Sequence, residues 1–130
     1  MRLLLDTHAF AWWMIEPARL APKAYNSISD PDNEVHVSAV SIWEMSIKHH
    51  VGRWPEIGAT LTDLKRQMHE TDFLELPITL AHGLEAGRLR GPHRDPFDRL
   101  LIAQARIDGL VIVTADRVFA AYGVPTLWAA

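Results

Sequence analysis

The chain of 130 residues carries 13 Lys and Arg against 16 Asp and Glu, a formal charge of −3, with 48% hydrophobic residues and no cysteine. That length suits a single domain with one substantial core, and the hydrophobic share is too high for a disordered chain. Disulfides and thiolate metal sites are excluded, and the acidic balance argues against a surface that grips nucleic acid all over, though not against a local basic rim.

The opening "MRLLLD" offers three leucines before an aspartate, too few for a signal-peptide core, and no apolar run approaches a membrane span. A cytoplasmic protein is the expectation. Residues 2–6 read as a short buried strand, followed without a break by an apolar helix, "THAFAWWMI". "PKAYNSIS" reads as a second helix with Pro22 at its first position, and "DPDN" as a turn. "EVHVSA" alternates as a strand, and "VSIWEMSIKHHV" is a helix ending at Gly52. One amphipathic helix is predicted over residues 59–69, a short strand at "FLELP", a helix at "TLAHGLEAG" and a basic loop at "RLRGPHRD". "PFDRLLIAQARI" is a helix closed by Asp108-Gly109, "LVIVT" a strand, "DRVFAAY" a short helix and "PTLW" a last strand. Strands alternating with helices imply a parallel central sheet flanked by helices, a three-layer α/β fold filling residues 1–130 as one domain.

Five acids stand at informative places. Asp6 and Asp116 each end a strand and start a helix, so both read as N-caps. Asp95 before Pro96 also suits an N-cap, which puts Asp98 at the third helical position. In a parallel sheet, however, the C-terminal strand ends share one edge, where ligands bind, so caps and ligands would occupy the same edge. Glu44 discriminates better. Val40, Ile47 and Val51 lie at −4, +3 and +7 from it and define an apolar stripe. A carboxylate within that stripe needs a partner: Lys48 one turn on, or a cation. Asp98 repeats the pattern, with Leu101, Ile102 and Ala105 at +3, +4 and +7 and Arg94 and Arg99 as alternative neutralisers. Two inward carboxylates on helices and two at strand ends are explained economically by Mg²⁺ or Mn²⁺.

Other chemistries find little support. The chain lacks H-E-x-x-H and both glycine-rich phosphate motifs, and most of its seven histidines read as surface or rim residues. The five tryptophans read as core or interface anchors. Arg88, Arg90, His93, Arg94 and Arg99 surround Asp95 and Asp98, and Lys48 to Arg53 follow Glu44. Such a rim suits a phosphodiester backbone; a solvated charged loop is the alternative.

Taken together, "LLLDTHAFAWW", "VSAVSIWEMSIK", "HRDPFDRLLIAQA" and "IVTADRVFAAYGV" resemble, in order, the four acidic motifs of PIN-domain ribonucleases, and more narrowly those of VapC-type toxins. The resemblance spans nearly the whole chain. It places the family's acids on Asp6, Glu44, Asp98 and Asp116, with Thr114 supporting the site from its strand end and Asp95 as the helix cap. It implies a Mg²⁺- or Mn²⁺-dependent endoribonuclease in which Asp6 and Asp98 anchor the cation and Glu44 and Asp116 complete the cluster. RNA substrate would meet a rim of Lys48, Arg90, Arg94 and Arg99. A homodimer neutralised by a VapB-type antitoxin is the implied assembly, with no membrane partner. A haloacid-dehalogenase-like phosphatase would need a second aspartate two residues after Asp6, where His8 stands, and a receiver-like phosphoacceptor would need a lysine after a late strand. The remaining alternative is a catalytically silent PIN domain that binds RNA or a partner.

Overall fold

The computed structural model describes residues 1–91 and 95–130. Five strands form one wholly parallel sheet: β1 (Arg2–Leu5), β2 (Glu34–Ser38), β3 (Leu74–Leu76), β4 (Val111–Thr114) and β5 (Thr126–Trp128). Their spatial order is β3-β2-β1-β4-β5. The chain therefore runs outward from β1 through β2 to β3, then returns to β4 on the other side of β1. That reversal puts the switch point between β1 and β4, and ligand crevices open there beyond the C-terminal strand ends.

Leu3, Leu4 and Leu5 are all fully buried, which requires cover on both faces of the sheet. The two-residue period of the strand separates them. Leu3 and Leu5 join Phe10, Met45, Ile57 and Val113 in one cluster. Leu4 joins Val40, Leu101, Ile102, Ile112 and Phe119 in the other. The helices that supply this cover are α1 (Thr7–Ile15), α2 (Pro22–Ser29), α3 (Ala39–His50), α4 (Gly58–Thr62), α5 (Leu64–Thr71), α6 (Leu80–Arg88) and α7 (Pro96–Asp108). α7 stops where Gly109 takes the left-handed conformation at φ 67.

Two expectations change in detail. The single helix expected over residues 59–69 is a pair, α4 and α5, broken at Asp63. Aspartate favours helix ends over interiors because its side chain competes for backbone groups, and here it begins α5. The expected helix after Asp116 is a 3-10 turn, Arg117–Tyr122. Among the described residues, the buried histidines are His36 and His82. His36 Nδ1 lies 3.0 Å from the Leu3 carbonyl oxygen. His82 accepts the Thr79 N–H at Nδ1, so its Nε2 carries the proton and donates to Asp108 Oδ2 at 2.7 Å.

Candidate active site at the parallel-sheet edge

Asp6 follows β1 directly, beside the end of β4. The register pairs Leu5 with Val113, and the Asp6 N–H donates to the Val113 carbonyl at 3.0 Å. Its side chain does two things at once. Oδ1 caps α1 by accepting the Ala9 N–H at 2.8 Å, and Oδ2 accepts the Thr114 hydroxyl at 2.6 Å. Only 6% of Asp6 is exposed. Burial pushes its carboxyl up to about 6 from 3.8, and the negative fields of Glu44 and Asp116 add to the rise. The bonds from Thr114 and Ala9 pull the other way without cancelling it.

Glu44 is buried in α3, but not within the apolar stripe expected from sequence. Ile47 and Val51 are 41% and 59% exposed, whereas Val40, Ser41, Glu44 and Met45 are the buried residues. The buried face is rotated by about one position and ends at Met45, because the last turn of α3 carries no buried residue. Glu44 nevertheless points inward, and both its oxygens are engaged. Thr7 donates its hydroxyl to Oε1 at 2.6 Å, and the Lys48 ammonium meets Oε2 at 2.5 Å. Thr7 Oγ1 also lies 3.1 Å from Ser41 Oγ. Neither Thr7 nor Ser41 stood out in the sequence. Their only signals were adjacency to Asp6 and a position one turn before Glu44.

The first turn of α7 is capped by Asp95, which accepts the Phe97 and Asp98 N–H groups at 2.9 and 3.2 Å. Asp98 is half-buried there, on the helix whose Leu101, Ile102 and Ala105 are buried. Two contacts fix this helix against the sheet edge. Ser38, the α3 cap at the end of β2, donates to Gln104 Oε1 at 2.6 Å, and the Trp43 and Phe97 rings meet edge-on at 5.0 Å. Asp116 is exposed. It accepts the Val118 N–H at 3.0 Å and gives its own N–H to Thr114 Oγ1 at 2.9 Å. Thr114 thus couples the two strand-end acids through one hydroxyl.

Asp6 and Asp116 line a common cleft of about 660 Å³ with His8, Trp12, Arg19 and Arg117. Glu44 reaches this site through Thr7 and through its field on Asp6. Among the described residues, no three acidic or histidine side chains converge closely enough to hold an ion. Of the basic rim, Arg88 and Arg90 are exposed, while Arg99 donates to the Ala86 and Leu89 carbonyls at the end of α6. His93 and Arg94 lie outside the described residues.

Residues 3–125 match the model of the PIN domain. The chain belongs to the PIN-domain family. It is 30% identical over 129 residues to Ribonuclease VapC22 of Mycobacterium tuberculosis, covering 97% of this chain and 98% of that one. Solved structures share the fold at lower identity. VapBC2 from Rickettsia felis, bound to a DNA fragment from its promoter, aligns with a TM-score of 0.74 at 14% identity over the whole of both chains. VapC20 of Mycobacterium tuberculosis, a toxin that cleaves the sarcin–ricin loop, aligns at 0.67 with 16% identity over 94% of this chain and 95% of that one. No helix among the described residues is long and apolar enough to cross a membrane.

Proposed function

We propose that this PIN domain, residues 1–130 as one unit, is an endoribonuclease and the toxin of a VapBC-type toxin–antitoxin pair in the cytoplasm. The observation that carries this reading is the buried Asp6 at the switch point of the sheet, titrating at about 6 beside Glu44 and Asp116. The VapC22 relative supports RNA as the substrate. A homodimer, with a VapB-type antitoxin covering the site, is the assembly that fits the VapBC neighbours.

The donor set suits a hard divalent cation, Mg²⁺ or Mn²⁺, because every candidate ligand is a carboxylate. Asp6 and Asp98 would hold it, with Glu44 and Asp116 completing the cluster. Such a cation supplies positive charge to the phosphate in flight and activates water for in-line displacement. The chain's own residues prepare the setting. Thr114 fixes the orientation of the Asp6 carboxylate, and Thr7 fixes that of Glu44. Lys48, beside Glu44, and Arg90, exposed beyond α6, supply positive charge for the RNA backbone, and the sequence assigns Arg94 the same role. Arg99 holds the end of α6 to α7 through the Ala86 and Leu89 carbonyls.

One observation favours the silent-module alternative: both Glu44 oxygens are already engaged, by Thr7 and Lys48. Incubating purified protein with cellular RNA, with Mn²⁺ and with chelator, decides between them. Cleavage in Mn²⁺ that chelator or Asp6→Asn abolishes supports the nuclease; RNA left intact by the folded protein in Mn²⁺ refutes it.

A further inference from the structure

We infer that an aromatic cleft beside the acids, walled by His8, Trp12 and Trp54, seats an unpaired RNA base next to the phosphate to be cut, an inference that rests on the ribonuclease reading above. His8 and Trp12 are one turn apart on α1, the helix that Asp6 caps, so they share a face. The His8 ring lies 6.2 Å from Trp12 and 5.2 Å from Trp54, tilted by only 30° to the latter. These rings bound a cavity of about 480 Å³, a size typical of small-ligand sites.

This cavity adjoins the acidic cleft. His8, Trp12 and Arg19 line both, and Asp6 and Asp116 line only the second. Along α1 the rise from Asp6 to Trp12 is about 9 Å, short enough for one nucleotide to touch both regions. A second tie runs from the other side. The Lys48 ammonium that pairs with Glu44 also sits 6.0 Å from the Trp54 ring centre.

The lining decides which part of a nucleotide enters. Glu16 and Glu56 stand in the wall of the aromatic cavity; Arg19 pairs with Glu16 at 3.8 Å, which leaves Glu56 as the charge that disfavours a phosphate there. A neutral base meets no such repulsion, and its edge N–H groups would find acceptors in those carboxylates. Cations flank the cleft where phosphates would pass: Arg19 lies 4.6 Å over Trp12, and Arg117 lines the acidic end. Trp12 and Trp54 pack partly on the core but remain half-buried, and both line the cavity, where a base would stack on Trp12 or Trp54 by displacing the mobile side chain of Arg19 or of the exposed His8. A paired base has both faces covered by its neighbours, so this cleft selects single-stranded or looped RNA.

The test uses a labelled short single-stranded RNA, the same RNA annealed to its complement, and the full chain in chelator, read by fluorescence anisotropy. Trp12→Leu keeps apolar bulk without a π face, and Trp54→Ala removes the second wall. Each is expected to weaken single-strand binding about five- to hundredfold, with Trp12→Phe retaining most of it. In Mn²⁺ the same variants should raise KM more than they lower kcat. Folded variants that bind and cleave like a cleaving wild type overturn the cleft and leave the ribonuclease reading standing. Variants that lose only affinity for a cognate antitoxin assign the cleft to that partner and also overturn it. A wild type that cleaves no RNA in Mn²⁺ refutes the ribonuclease reading itself.

Discussion

Asp6→Asn removes a charge that folding forces out of water, and its effect on stability can be worked out. The carboxyl titrates at about 6 in the folded chain against 3.8 ordinarily, first through burial and then through Glu44 and Asp116. That difference of about 2.2 corresponds to roughly 3 kcal/mol between the ionised and neutral forms. The folded state holds the proton more tightly than the unfolded state, so stability falls as pH rises between the two values. The cost is absent below about pH 4 and complete above about pH 6. An amide cannot ionise, yet it still accepts the Ala9 N–H as an N-cap. The variant should therefore be about 3 kcal/mol more stable near neutral pH and about equal to wild type near pH 4. For a chain of this length, that raises Tm by about 10 °C at neutral pH. Urea melts of both proteins across this range, in chelator at fixed ionic strength, measure it. Subtracting one curve from the other cancels the acids they share. A stability difference that stays flat with pH, or a variant less stable at neutral pH, refutes the claim that Asp6 is ionised at a cost.

Other outcomes follow from the same geometry. A cation that binds only the folded form stabilises it, by about 1.4 kcal/mol at tenfold saturation, so Mn²⁺ should raise the wild-type Tm and raise that of Asp6→Asn less. Asp98→Asn should abolish RNA cleavage and growth inhibition while circular dichroism stays native; full cleavage by the folded variant removes Asp98 from the site. Asp95→Asn should retain activity, whereas Asp95→Ala should lose about 0.5–2 kcal/mol in denaturant melts with the α7 cap. Thr114→Val leaves the Asp116 N–H without its acceptor and Asp6 Oδ2 without its donor, at about 1–3 kcal/mol. It should also carry the pH-dependent fall in stability above the wild-type range, because Asp6 loses a bond that favours its charged form.

The sheet was legible because its strands are short apolar runs between helix-length segments, and a strand of three consecutive leucines can be buried only with cover on both faces. Glu44 was found by a pattern that fails in part. It was placed in a stripe with Ile47 and Val51, which are exposed, yet it is buried because α3 turns the 40, 41, 44 and 45 positions inward. Thr7 was not legible. A threonine beside a cap is ordinary, and its bond to Glu44 depends on α1 and α3 meeting across 37 positions of chain. The aromatic cleft was hidden for the same reason, since Trp12 and Trp54 come from separate segments and their shared wall exists only after folding. The expectation that most histidines lie at the surface or rim holds for His8, His49, His50 and His69, while His36 and His82 become inexpensive to bury once each finds a backbone partner.

What sequence cannot separate is capping from ligation, because both need a short acid where a strand gives way to a helix. Asp6, Asp95 and Asp116 all cap, each accepting a backbone N–H from the turn that follows. Their surroundings differ. Asp116 is exposed, so water already offsets most of its charge, and its cap alone does not set it apart as a ligand. Asp95 is partly exposed, and both hydrogen bonds given to it come from the helix it starts. Asp6 is the buried one of the three, burial pushes its carboxyl up to about 6, and its second oxygen turns away from its own helix to a hydroxyl 108 positions along the chain. A cap needs neither feature, since serine or asparagine would serve at lower cost in a buried place. The excess burial of one carboxylate, beyond what capping requires, supports the proposed role of Asp6 as a ligand held for its charge.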